Sequence, residues 1–264
     1  MDIFDKINSF YNNFNGKKQI IGKSVLGMPI FVFTVEKTIF PQIIVQYSMH
    51  AREYITSLLA LKQIERFACF GKVGTVHFIP LVNPDGVKIA TSINPTYKAN
   101  GRGVDLNVNF DAMWGQGQTN TTIKGDCNYI GEHPFSEPES IALRDFTLKI
   151  KPNATVSYHS KGEEIYYEFH QSERDKLRDY SLAKAVSKVT GYKIKSTPNS
   201  CGGYKDWCVQ KLKIPSLTIE VGCDLLSHPI GEENLDTIYL KNQKVIETVI
   251  KWTKNNKKSL CAWQ

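Results

Sequence analysis

The apolar run QIIVQYS leads directly into Met49-His50-Ala51-Arg52-Glu53, so an imidazole and a carboxylate stand three positions apart where apolar sequence gives way to polar. On a tight turn or a first helical turn, two such groups can aim at one ion, and both reach Zn²⁺ at about 2.0–2.2 Å. A catalytic zinc site adds a third protein ligand and keeps one position for water. A surface histidine beside a solvated glutamate would have the same spelling, so the pair needs support. His159 supplies it, because it ends a second apolar run, ATVSYHS, far along the chain. The other four histidines differ: His77 lies inside TVHFIPL, His133 and His228 each precede proline, and His170 sits in a charged stretch.

Glu220 is the fourth candidate. It places a carboxylate in the otherwise apolar run SLTIEV, where an unpaired charge is costly to bury. The plain explanation is a structural salt bridge. The chemical one is a general base with a raised pKa, taking a proton from water activated by the metal and returning it to a leaving amine.

These groups need elements to hold them. QIIGKSVLGMPIFVFTV reads as two strands around a Leu26-Gly27 turn. Gln42–Ser48 and Thr75–Leu81 have strand length, and YITSLLALKQIERFACF between them has the length and composition of a buried helix. Strand, helix, strand in that order is a βαβ unit and favours a parallel sheet. In FSEPESIALRDF, Ser136 can cap a helix, Glu139 completes a capping box and Pro138 suits the first turn. ATVSYHS is a strand, a helix follows from about Glu173 to Thr190, and Gly202-Gly203 breaks the chain before a short helix through Trp207. From Leu235 to Trp252, apolar residues at helical spacing predict one helix closing a sheet face. The expected fold is a single α/β domain over residues 1–264, with a mixed, largely parallel twisted sheet and helices on both faces. The polar candidates then fall at strand ends, where open α/β sheets place their ligand sites.

Bulk composition sets the bounds. With 41% apolar and 22% charged residues the chain is globular, and only the Lys- and Asn-rich stretch Lys254–Lys258 invites disorder. The net charge of +7 comes from lysines scattered among acids, so no nucleic acid is expected as a partner; an anionic substrate or simple solubility accounts for it. No segment has the roughly 20 apolar residues that span a bilayer, so no membrane insertion is expected. The opening MDIFDKINSFYNNFNGKK lacks the apolar core of a signal peptide. A cytoplasmic setting follows as the expectation, with action in a sporulating mother cell or after lysis as the alternatives. The six cysteines form no C-x-x-C pair and are expected as free thiols, with Cys201–Cys208 or Cys208–Cys223 as the bridges open to them.

Taken in order, HARE, PLVNPDG, GVDLNVNF, PFSEPES, SYHS, GGYKDW and LTIEVG resemble the zinc metallocarboxypeptidases, the superfamily of pancreatic carboxypeptidase A, from about Gly22 to Asn255. The resemblance implies one zinc ion held by His50, Glu53 and His159, with Glu220 as the catalytic carboxylate. It also implies a cation upstream of GVD that stabilises the oxyanion. Lys98 fits by position and Arg102 by side chain, and the sequence leaves both open. Asn107, Tyr204 and Lys205 fall at substrate-binding positions.

Two departures bear on the substrate. The family's Asn-Arg-Asn, whose arginine clamps a terminal carboxylate, is here Asn107-Val108-Asn109, and valine cannot make bidentate hydrogen bonds. A tyrosine that closes over the substrate is replaced by Pro198. Lys205 falls at the base of the pocket for the residue after the scissile bond, where a cation suits a side chain ending in a carboxylate. The combination is similar to the bacterial γ-D-glutamyl-diamino-acid peptidases, which cut peptidoglycan stem peptides between D-glutamate and meso-diaminopimelate. The expected partner is thus a peptidoglycan peptide. The alternatives are a carboxypeptidase releasing acidic residues from ordinary peptides, and a silent peptide- or glycan-binding module on the same fold.

Overall fold

The structure is a computed structural model and describes residues 2–196 and 199–257. In chain order the strands are β1 (Lys17–Lys23), β2 (Pro29–Glu36), β3 (Gln42–Tyr47), β4 (Thr75–Ile79), β5 (Ala154–Ser160), β6 (Glu164–Tyr166), β7 (Lys193–Ile194) and β8 (Ser216–Val221). The helices are α1 (Ile3–Asn13), α2 (Ile55–Phe70), α3 (Pro84–Ser92), α4 (Pro138–Ile150), α5 (Glu173–Thr190), α6 (Tyr204–Gln210), α7 (Leu235–Asn242) and α8 (Val245–Asn255).

One eight-stranded sheet, ordered β1-β2-β4-β3-β5-β8-β6-β7, runs through the molecule. Its centre, β4-β3-β5-β8, is parallel, and antiparallel pairs flank it on either side. Central strands covered on two faces read as nearly continuous apolar runs, which is why IIV, ATV and SLTI are buried throughout. Val45, Tyr47, Val156, Tyr158, Leu217 and Ile219 face a core shared with α1, α2, α5, α7 and α8. Ile44 and Ile79 point the other way, into a second core with α4, α6 and Leu106–Phe110.

The β1–β2 hairpin turns at Gly27, whose φ of +86° suits glycine. Three details depart from the sequence reading. Glu137, rather than Ser136, is the N-cap of α4, with Pro138 in its first turn; the Ser136 hydroxyl instead donates to the Glu137 carboxylate. The predicted closing helix is two, α7 and α8, separated at Gln243 and Lys244, which lets Ile238 and Val249 both reach the core. Lys254 and Asn255 belong to α8. The described cysteines are free thiols. Among the described residues no helix is long and apolar enough to cross a membrane. Pro198, Lys258 and Cys261 lie outside the described residues.

Candidate active site

The ligand turn begins where β3 ends. Ser48 adopts φ +49°, and the chain passes through extended His50 into a short 3₁₀ turn, Ala51–Glu53, before α2. Several hydrogen bonds fix this turn. The Ser48 N–H donates to Thr56 Oγ1 at 2.9 Å, Ala51 N–H to the Lys98 carbonyl at 3.0 Å, and Asn83 Nδ2 to the Met49 and Ala99 carbonyls, each at 3.0 Å. Two neighbouring loops therefore hold the turn that carries His50 and Glu53.

His159 arrives from β5 and completes the cluster. Its Nδ1 lies 2.9 Å from Glu53 Oε2 and 3.1 Å from His50 Nδ1, while His50 Nδ1 lies 2.9 Å from Glu53 Oε1. All three side chains are buried, and their donor atoms lie within 4.8 Å of one another. The two Nδ1 atoms and the Glu53 oxygens thus converge on one small volume, as the donors of a shared ion do. A tetrahedral ion with bonds of about 2.0–2.1 Å would separate its donors by about 3.3 Å. The spacing and the donor chemistry both fit one zinc ion.

Asp105 orders the next shell of contacts. Its Oδ1 accepts from the Asn107 N–H at 2.9 Å and faces His50 Nε2 at 3.2 Å, and its Oδ2 pairs with Lys98 Nζ at 2.6 Å. Burial alone would lower the His50 pKa, but Glu53 and Asp105 outweigh it and raise the ring to about 9. Burial alone would raise Glu53, but His50 and His159 hold it well below the usual carboxylate range. His159 is lowered, chiefly by burial. Asp105 overcomes the effect of burial on Lys98 and keeps the ammonium charged.

Glu220 stands on β8 directly across from His159 on β5 and on the same face. Its Oε2 is buried and has no hydrogen-bond partner among the described residues. Burial, reinforced by the charge of Glu53, raises its pKa well above that of an ordinary glutamate. The side chain is nonetheless open to a cavity of about 150 Å³ lined also by Asn107, Tyr166, Thr218, Lys205 and Asp206.

The remaining predicted residues divide by position. Lys98 points at Asp105 beside His50, whereas Arg102 is 46% exposed and turns 3.4 Å away to Glu137. Asn107 lines the cavity and accepts from the Tyr204 N–H at 3.3 Å. The Tyr204 side chain is fully buried away from the cavity; its hydroxyl meets Thr147 at 2.9 Å and its ring packs on Phe110. Lys205 is on the cavity wall, its Nζ 2.5 Å from Asp206 Oδ1 and 2.9 Å from the Glu168 carbonyl. Val108 is buried in the turn after Asp105. Sequence reading missed Asp105, Asp206 and Tyr166. An acid inside GVDLNV and one inside GGYKDW were the available signals, but only the folded chain shows what they face.

The donor set and its buried setting are those of a site for a single zinc ion. The model of the zinc carboxypeptidase family matches residues 3–255, and the chain belongs to that family. It is 32% identical over 255 residues to gamma-D-glutamyl-L-diamino acid endopeptidase 1 of Lysinibacillus sphaericus, a match covering 83% of this chain and 63% of that protein. The chain therefore spans less than two thirds of that relative's length. It is 29% identical over 209 residues to murein peptide amidase A of Escherichia coli K12, covering 75% and 78% of the two chains. The fold is that of bovine thrombin-activatable fibrinolysis inhibitor, with a TM-score of 0.84 at 20% identity over 97% of this chain and 98% of the other.

Proposed function

We propose that this zinc peptidase hydrolyses the bond between γ-linked D-glutamate and meso-diaminopimelate in peptidoglycan stem peptides. The observation that carries the reading is the buried Lys205 on the wall of the cavity that Glu220 opens into. The names of the two bacterial relatives point the same way. When bound, zinc polarises the scissile carbonyl and acidifies its water.

The chain's own groups do the rest. Glu220, with its raised pKa, takes the proton of the attacking water and delivers it to the leaving amine. Lys98 keeps a positive charge beside the cluster, where negative charge develops on the carbonyl oxygen. Arg102 is partly exposed and pairs with the buried Glu137, while Lys98 is itself held by Asp105 and Asn128. Val108 leaves no bidentate clamp for the terminal carboxylate of an ordinary peptide, and Lys205 offers a cation to a carboxylate deeper in the cavity.

The test offers the zinc-loaded protein L-Ala-γ-D-Glu-meso-diaminopimelate beside a peptide ending in α-linked glutamate. Cleavage of the first alone is expected, and preference for the second overturns the assignment. Glu220→Gln should lower kcat by about 10²–10⁴-fold while the protein still binds one zinc. Full activity in that variant removes Glu220 as the base.

A further inference from the structure

We propose that the cavity beside Glu220 receives a dipolar side-chain terminus, with Lys205 binding its carboxylate and Asp206 its ammonium group. This rests on the hydrolase reading above and adds a second charge requirement to it. Lys205 and Asp206 are only 6% and 3% exposed, yet both line the cavity with their charges 2.5 Å apart. A buried ion pair is worth keeping only if its remaining hydrogen-bonding capacity is served.

The Lys205 ammonium also faces the Phe169 ring, 5.6 Å from its centroid, but among the described residues hydrogen bonds take up only part of the pair's capacity. The Lys205 ammonium has three N–H donors, and two are taken, by Asp206 Oδ1 and the Glu168 carbonyl. The Asp206 carboxylate has about four acceptor sites; Lys205 takes one on Oδ1 and the Gly203 N–H one on Oδ2, at 3.0 Å. One donor and spare acceptors of opposite sign thus stand side by side.

The sheet beneath repeats the pattern. Thr218 lines the cavity, Ser157 lies across from it on β5, and Gln46 lies across from Ser157 on β3. Side chains directly opposite one another in a ladder share a face, so the three form one polar row under α6. Gln46 is 0% exposed and Ser157 1%, and neither the Gln46 amide nor the Ser157 hydroxyl has a hydrogen-bond partner among the described residues. Ordered water commonly serves polar groups buried in this state, and of the row Thr218 is the member that gives the cavity its polar floor.

Charge decides what the occupant of the cavity is. A lone ammonium would find Asp206 but meet Lys205. A lone carboxylate would find Lys205 but meet Asp206 and Glu220. An apolar chain would serve neither. A terminus carrying an ammonium and a carboxylate on one carbon, as at the far end of diaminopimelate, serves both at once.

The test compares L-Ala-γ-D-Glu-X with X as meso-diaminopimelate, 2-aminopimelate (carboxylate only) or lysine (ammonium only), using the zinc-loaded full chain. Diaminopimelate should exceed both others in kcat/KM by more than about 10-fold, the loss expected when a site's buried polar groups go unserved. Asp206→Asn keeps the shape and an oxygen for Gly203, and should narrow the gap between diaminopimelate and 2-aminopimelate. Lys205→Met should narrow the gap between diaminopimelate and lysine. Equal cleavage of diaminopimelate and 2-aminopimelate by the wild type overturns the inference, as does an Asp206→Asn loss that leaves the ratio unchanged. If a variant does not fold, the wild-type ratios decide. If no peptide is cut, the hydrolase reading fails instead. Calorimetric binding of the three free amino acids to the zinc-loaded protein then decides the inference, and binding that does not favour diaminopimelate overturns it.

Discussion

His50 uses both ring nitrogens, Nδ1 towards Glu53 and His159 and Nε2 towards Asp105. A partner on the second nitrogen fixes the tautomer and orientation of a metal ligand, and its loss typically costs 10–100-fold in affinity. Asp105→Asn should therefore weaken zinc binding by about that factor, measured by competition with a chelator; unchanged affinity would show that the ring is held by packing alone. The same residues give a pH dependence. Without the ion the His50 ring keeps a proton up to about 9, yet a zinc ligand must be neutral. Zinc uptake should release a proton below pH 9, and apparent affinity should rise with pH until about there. Affinity that is flat between pH 6 and 9, in roughly tenfold steps per unit otherwise expected, would contradict the assignment. His50, Glu53 and His159 were legible because each sits where an apolar strand meets polar sequence, and the place of Glu220 because it is a carboxylate within an apolar strand. Asp105 was not, since a loop acid carries no periodicity and acquires meaning only from the imidazole it faces.

At the scale of elements, the connection into α6 is the one that shapes the cavity. Gly202 has φ +86°, its N–H donates to the Ala112 carbonyl at 2.8 Å, and its carbonyl accepts from Phe110 at 2.9 Å. A Cβ at this position would lie 2.7 Å from the Val108 carbonyl oxygen. Gly202→Ala should cost about 1–3 kcal/mol in urea unfolding and raise KM more than it lowers kcat, because α6 carries Lys205 and Asp206. An unaltered midpoint and KM would show that the loop adapts. The Gly-Gly pair marked this break in the sequence. Other elements escaped notice although their signals were present. Asn83 accepts from the Gly86 N–H at 3.0 Å and Pro84 opens α3, a cap and first turn concealed within PLVNPDG. The two helices at the end shared a single apolar periodicity, and the break between them at Gln243 and Lys244 is marked by no Gly or Pro.

For the molecule as a whole, a buried group of acids joins the hairpin to the loop that carries Lys98. Asp85 accepts from the Ser24 hydroxyl at 2.7 Å and the Leu26 N–H at 2.8 Å, while Glu139 accepts from the Val25 N–H and Asn100 Nδ2, each at 3.1 Å. Burial pushes the Glu139 carboxyl up from 4.5 to about 7, against the pull of those hydrogen bonds. The folded chain therefore holds this proton more tightly than the unfolded one, and unfolding releases it between those two values. Stability should fall as pH rises from 4.5 to 7, by up to about 3 kcal/mol from this group. Glu139→Gln should flatten that part of the stability curve, and a slope that persists in the variant would assign it to other groups. None of this was readable from one-dimensional pattern, because Ser24, Asp85, Asn100 and Glu139 come from four separate segments. The local strand-helix-strand unit was legible, but the insertion of β8 between β5 and β6 was not, since it depends on pairing across long separations.

His159 and Glu220 face each other across adjacent parallel strands, in a ladder with four pairs before them and one after. Strands in such a ladder keep a spacing of about 4.8 Å, and slipping one by a single residue would turn its whole row of side chains over. The backbone spacing between the metal ligand and the acid is thus a gauge cut into the sheet, and only their side-chain rotamers are left to adjust. A bulkier leaving group has to be accommodated by the segments that line the cavity around Asn107 and over residues 200–206, and substitutions that change substrate range should be sought there rather than in the sheet.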